Sequence, residues 1–178
     1  MELRPARPAD AASIAELHAD SWRTAYRGMY RDEYLDGDVV ADRMNVWKQR
    51  LASPADNQFV LLATEGDDLL GFVCAYGNSD ARWGTLVDNL HVLPGRQGQG
   101  LGRRLLGASA IWSRQHYPNA LFHLWVLDGN AKARRFYELL GAKAQESKVS
   151  EPPGGGRVTG WRYVWSSIEP LLAQAAAS

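Results

Sequence analysis

Eighteen residues from Asn89 to Leu106 hold the densest concentration of chemically suggestive spacing in the chain. A β-rich run stops at Pro94, a turn containing Gly95, Gly98, Gly100 and Gly102 follows, and an amphipathic helical pattern starts inside that turn. Glycines let successive backbone N–H groups converge on one point, and a helix N-terminus adds partial positive charge there. Both favour a phosphate or pyrophosphate. Arg96, Arg103 and Arg104 either add side-chain charge or are simply solvated. Spacing narrows the choice of phosphate ligand. A nucleotide-binding P-loop needs Gly-Lys-Ser/Thr at its end, but Arg103 follows Gly102. The dinucleotide fingerprint needs its third glycine where Arg103 stands, and normally opens the fold near its first strand. What remains is Gln-x-x-Gly-x-Gly at Gln97, Gly100 and Gly102, preceded by Leu-x-Val-x-Pro at Leu90, Val92 and Pro94. The alternative is that these glycines merely allow close helix–strand packing.

A second constellation lies downstream, where Asn130, Ala133, Phe136 and Tyr137 form Asn-x-x-Ala-x-x-Phe-Tyr, closed by Gly141. Seven residues at ~100° each bring Tyr137 to within ~20° of Asn130, about two turns along one helix face. Together the two motifs resemble the acetyl-coenzyme A signature of the GCN5-related N-acetyltransferase (GNAT) superfamily, and the order of elements over residues 1–165 resembles it in outline. The resemblance implies an α/β fold: a single mixed, mostly antiparallel sheet flanked by helices, with a splayed parallel strand pair. It implies acetyl-coenzyme A as co-substrate and no metal. The strand Leu90, His91, Val92 would lie beside the pantetheine arm, with backbone groups of Leu90 and Val92 bonding it. Amides of Gly98, Gln99, Gly100, Leu101 and Gly102 would hold the pyrophosphate, with Arg103 a further cofactor-binding residue, Gln97 at the loop entrance and Asn130 touching the cofactor.

Acyl transfer from a thioester to an amine requires the amine to lose a proton, the carbonyl oxygen to be stabilised and the thiolate to leave. An alkyl ammonium with a pKa near ~10 is mostly protonated at neutral pH, so a base or a proton exit path is needed. By resemblance Tyr137 is the general acid at the sulfur; packing against Phe136 is its other reading. Related enzymes often place a glutamate four residues before the position of Leu90. Here that residue is Leu86, a departure from the pattern. Asp88, on the same strand face by period-two alternation, is the substitute base, acting directly or through water, or else a paired strand carboxylate. His91, expected on the opposite face, and His123 read first as sheet histidines. The lone Cys74 reads as core filler.

For the acceptor amine, the resemblance points to the first two helices and the loop before the last strand. Trp22, Tyr26 and Tyr30 recur every four residues and are the candidate acceptor-binding residues, with Trp47 and the loop from Glu151 to Gly160 beside them. They serve equally as core. Asp32, Glu33, Asp36, Asp38 and Asp42 are either an acidic mouth that attracts a cationic amine or a solvated loop. A non-catalytic coenzyme A-binding module is the rival reading, supported by the missing glutamate.

These residues need a scaffold. Helices are expected over residues 10–27, with Asp10 as N-cap, and over Val39 to Leu51; strands over 59–64 and 69–76 form a hairpin. Then come strand 85–93, helix 100–115, strand 121–127 and helix 130–140, whose strand–helix–strand unit implies a parallel pair. Strands 143–149 and 158–165 should pair antiparallel across the glycine-rich loop at 151–156, which reads as mobile. One domain over residues 1–170 and a fraying tail at 171–178 account for the 178-residue length. Twenty basic residues balance 20 acidic ones, which argues against nucleic acid as a partner and against a polybasic membrane anchor. The longest stretch without Asp, Glu, Lys or Arg, residues 115–127, is too short and polar to span a bilayer. With no apolar leader and one cysteine, a cytoplasmic protein is expected, and the resemblance admits a homodimer.

Overall fold

Two β-rich runs meet at a tight turn whose Gly66 adopts φ of +59°, so the chain doubles back and strands β2 (Gln58–Glu65) and β3 (Asp68–Asp80) pair antiparallel. The computed structural model describes residues 1–176 and builds a seven-stranded sheet around this hairpin. Its other strands are β1 (Glu2–Pro5), β4 (Gly84–Val92), β5 (Phe122–Leu127), β6 (Lys143–Ser150) and β7 (Val158–Trp165). The order is β1-β2-β3-β4-β5-β7-β6, and β4–β5 is the parallel pair in an otherwise antiparallel sheet. The expected fold class is the one observed.

Alternating side chains send each strand's apolar residues to both faces, and helices cover both. Helices α1 (Ala11–Ala25) and α3 (Val39–Ala52) cover one face, where Ile14, Leu17, Trp47, Leu62, Phe72 and Cys74 form a buried cluster. A short helix α2 (Asp32–Asp36) closes over their ends through Leu35, which packs with Trp22 and Val39. The other face carries α4 (Leu101–His116), α5 (Ala131–Leu139) and α6 (Glu169–Ala176) over Val73, Val87, Leu124, Tyr163 and Trp165.

Three elements escaped the sequence reading. The strand β1 has only four residues, α2 has five, and α6 extends into the segment expected to fray. Residue Leu171 of α6 is buried against the core, while Ala177 and Ser178 lie outside the described residues. Asp10 precedes α1 as expected but makes no capping bond. Its carboxylate instead accepts two bonds from Arg4 (2.9 and 2.7 Å) and one from the Arg7 amide (2.7 Å). The glycine-rich loop lies against α2: a Cβ on Gly154 would sit 2.5 Å from Tyr34. No helix among the described residues is long and apolar enough to cross a membrane.

Candidate active site

The parallel pair is where the sheet opens. β4 and β5 are in register at Thr85–Phe122, Leu86–His123 and Val87–Leu124, and pairing stops there although the strands continue to Val92 and Leu127. The divergence begins at a β-bulge. Cys74 faces Asn89 and Ala75 faces Val87, so Asp88 is an extra residue on β4. A bulge of this kind bends its strand and increases local twist, carrying the end of β4 away from β5. On the opposite edge, β4 stays bonded to β3, with the Leu93 amide donating to the Leu70 carbonyl at 2.8 Å. Antiparallel alternation therefore gives β3 the backbone groups of Asn89, His91 and Leu93, and turns those of Leu90 and Val92 toward the gap.

The bulge also corrects the expectation for His91. One extra residue reverses the phase of alternation. Thr85 and Val87 precede the bulge on the α4 face, and Leu90 and Val92 follow it there. His91 consequently lies on the α1/α3 face, beside the residues from which simple alternation would separate it. Its Nδ1 shares a 2.7 Å hydrogen bond with Ser21 Oγ, and its ring centroid lies 4.4 Å from that of His18. Burial, with Arg43 nearby, pushes the His91 pKa down to about 3, so the ring is neutral at pH 7. His18 is buried and also held well below its ordinary value by burial; its Nδ1 accepts a 3.0 Å bond from the Trp47 indole.

Because the strands part, residues from both faces of the sheet line one cavity of about 270 Å³. Trp22, Tyr26, Tyr30, Arg43 and Arg50 enter from α1, the following turn and α3; Asp88, Leu90 and His91 enter from β4; Trp125, Lys148 and Gly160 enter from β5, β6 and β7; and Tyr137 enters from α5. Six residues singled out from sequence thus converge with His91: Trp22, Tyr26, Tyr30, Asp88, Leu90 and Tyr137. Burial raises the phenols of Tyr26 and Tyr137 far above their ordinary range and pushes Tyr30 up to about 12, so all three are protonated at neutral pH. Tyr137 makes edge contacts with Phe136 and Trp165, which fix its ring, and its hydroxyl has no hydrogen-bond partner among the described residues. Asp88 is ion-paired with Arg50 at 2.8 Å, and the same Arg50 nitrogen donates to Asn89 Oδ1 at 2.9 Å.

The glycine turn lies past the end of β4. Gly98 and Gly100 have φ of +81° and +82°, and Gly100 is the residue from which α4 starts. The first bond of α4 runs from the Arg104 amide to the Gly100 carbonyl at 3.0 Å, so the amides ahead of it have no carbonyl within the helix to meet. A Cβ on Gly95 or Gly98 would meet nothing within 4 Å, and one on Gly102 would make only ordinary contact at 3.5 Å with Phe136. Close helix–strand packing therefore does not explain these glycines. Gln97 donates to the Val92 carbonyl (3.3 Å) and accepts from Lys132 (2.6 Å), which ties the loop to β4 and α5. The side chain of Leu101 is buried in the core, so only its backbone faces the loop. Arg96 is paired with Glu65 at 3.0 Å, on the β2–β3 side. Asn130 is the N-cap of α5, its side-chain oxygen accepting from the Ala133 amide at 3.2 Å. It thus precedes the helix instead of lying on the Tyr137 face within it.

Several expected roles move. Trp47 is fully buried between His18 and Phe72, away from the cavity. His123 is a buried sheet histidine whose Nδ1 accepts from Arg162 (3.0 Å); burial and then Arg162 push it down to about 4. Burial pushes the Cys74 thiol up to about 12, consistent with core filler. None of the five clustered acids lines the cavity, and three of them are ion-paired: Arg27 with Asp32 (3.1 Å) and Asp36 (2.8 Å), and Arg43 with Asp42 (2.9 Å). Sequence reading missed Arg43, Arg50, Lys148 and Trp125, which carry no motif and come together only through the sheet topology.

Comparison with known proteins agrees with this architecture. The chain is 30% identical over 131 residues to the uncharacterized N-acetyltransferase YuaI of Bacillus subtilis, covering 72% of each. A GCN5-related N-acetyltransferase from Rhodopseudomonas palustris superposes with a TM-score of 0.75 at 22% identity, covering 93% of this chain and 95% of the other. The PaiA N-acetyltransferase of Thermoplasma acidophilum, solved in complex with coenzyme A, superposes at 0.69 with 19% identity, covering 89% and 96%. The model of the acetyltransferase (GNAT) family matches residues 13–142, and with the splayed strands and glycine turn inside that span, the chain belongs to the GNAT acetyltransferase family.

Proposed function

We propose that this protein transfers an acetyl group from acetyl-coenzyme A to the primary amine of an acceptor by direct attack in a ternary complex. The observation that carries the reading is the gap between β4 and β5. It leaves Leu90 and Val92 unpaired with β5, lies along the part of β4 that leads into the amide-rich turn at Gly98–Arg103, and includes a cavity holding a carboxylate and a protonated phenol. Coenzyme A bound to the structural neighbour PaiA supports the same ligand here. Acetyl-coenzyme A supplies the acetyl group as an activated thioester.

The residues of this chain do the rest. Backbone amides at the turn meet the pyrophosphate, with Gln97 bracing the loop. Leu90 and Val92 offer the pantetheine arm the strand edge that β5 has left. The acceptor, an ammonium at neutral pH, gives up one proton before attack and a second as the nitrogen–carbon bond forms and the carbon–sulfur bond breaks, while the sulfur gains one. Asp88, with its Arg50 partner, relays the nitrogen protons to solvent directly or through water; Tyr137 protonates the departing sulfur and is reprotonated from solvent. Trp22, Tyr26 and Tyr30 enclose the acceptor and exclude water, which strengthens every charge interaction within. The experiment is acetyl-coenzyme A turnover over an amine panel, beside melting curves with coenzyme A, ATP and NAD. Stabilisation by coenzyme A together with amine acetylation is the expected result. Tight coenzyme A binding without acetylation of any amine indicates a binding module, and stabilisation by ATP or NAD alone overturns both.

A further inference from the structure

The charges lining the cavity are opposite to those that a polycationic acceptor needs. Three cations line it, Arg43, Arg50 and Lys148, against one carboxylate, Asp88, which already pairs with Arg50. Lys148 has no ion pair among the described residues and lies 4.2 Å above the Trp125 ring. Arg43 is 8% exposed and packed 4.5 Å over the Trp22 ring. Its ion pair, to Asp42, is with a carboxylate that also accepts from the Tyr34 hydroxyl, and its buried Nε has no partner. A guanidinium has five N–H donors, and a buried one left short of acceptors is costly. The Arg43 charge also acts on His18, His91 and Tyr30, so its field reaches the cavity side of α1 and β4.

We propose that the acceptor is a small amine carrying its own oxyanion, a carboxylate or a phosphate, and that Arg43 reads that anion with Lys148 adding charge from β6. The proposal rests on the acetyl-transfer reading of the same cavity and names its substrate class. An oxyanion satisfies the guanidinium in the fork geometry it is built for, and the aromatic wall holds the apolar part of the molecule. The cavity of about 270 Å³ has room for an acceptor of amino-acid size. A second positive charge on the acceptor faces Arg43 and Lys148 and is rejected.

The test measures kcat and KM at saturating acetyl-coenzyme A for matched pairs: the twenty protein amino acids against their decarboxylated amines, O-phosphoethanolamine against ethanolamine, and spermidine as the polycation. The best acceptor should carry an oxyanion, exceeding its matched amine in kcat/KM by at least about tenfold. The amino-acid and phosphate arms show which oxyanion is read. Arg43→Gln should bring the ratio within the best pair toward one, mainly through KM, and Arg43→Lys should restore part of it. Lys148→Gln, on an exposed strand, lowers the same ratio by a smaller factor and serves if Arg43→Gln does not fold. Preference for amines without an oxyanion or for spermidine, or equal losses on both members of the pair in the folded variants, overturns the proposal while leaving acetyl transfer intact. If no amine of either kind is acetylated, the transfer reading fails and the proposal falls with it.

Discussion

Replacing Tyr137 by Phe removes one oxygen and keeps the ring. The ring is clamped by Phe136 and Trp165, centroids 5.3 and 6.1 Å away, and the hydroxyl bonds to no described residue. No protein hydrogen bond is lost, so stability should change by less than about 1 kcal/mol. The catalytic cost is of a different size. A general acid contributes about 10²–10⁴ in rate, or about 2.7–5.5 kcal/mol at 1.36 kcal/mol per tenfold. The assay is steady-state release of coenzyme A with amine saturated, run beside a thermal melt. Tyr137→Phe should lower kcat by at least about a hundredfold, with KM for acetyl-coenzyme A within about threefold and the melt nearly unchanged. Because burial raises the phenol above its ordinary value, activity of the parent should show no loss of this acid on the alkaline side up to about pH 10. A kcat within about threefold of the parent refutes the assignment, since it leaves no room for an acid's share of the barrier.

Three further outcomes follow from the same geometry. Asp88→Asn should reduce kcat/KM at pH 7 by about a hundredfold, and the deficit should shrink as pH approaches the amine pKa near ~10; a deficit constant with pH makes Asp88 a mere partner of Arg50. Gly84→Ala puts a Cβ 2.2 Å from the Leu121 carbonyl at a φ of +75°, where the neighbour is backbone and cannot swing away. It should lower stability by at least about 2 kcal/mol by thermal melt, while Gly66→Ala, at φ +59° in open space, costs about 1 kcal/mol; equal losses contradict the close approach of β4 to the start of β5. Burial depresses His18, His91 (to about 3) and His123 (to about 4), so the unfolded chain takes up protons that the folded one refuses. Their stabilising effect is complete above about pH 6.5 and is lost on acidification, at up to about 1.4 kcal/mol per pH unit for each; urea titrations from pH 7.5 to 5 measure the slope, and a flat profile rules this out.

The turn proposed to meet the pyrophosphate was legible from sequence because its requirement is local. Glycines spaced for positive φ before a helix start specify the turn at Gly98–Gly102 whatever surrounds it, and the tandem of that turn with the Asn130–Tyr137 motif narrowed the family. Hydrophobic period gave the long helices and the central strands for the same reason. The short elements β1 and α2 were not legible, since four or five residues carry too little periodicity, and their stability comes from neighbours distant in sequence. The roles of Asp88 and His91 depend on where β4 bulges, which is a matter of pairing with β3: one unpaired residue reverses the phase and brings His91 to Ser21 and His18. Only the parting of β4 from β5 joins both faces of the sheet into one cavity, and only there do Arg43, Arg50 and Lys148, from α3 and the far strand β6, act on the same volume. Sequence composition summed their charges to zero with the rest of the chain; the fold gathers the three around one cavity, where their fields add.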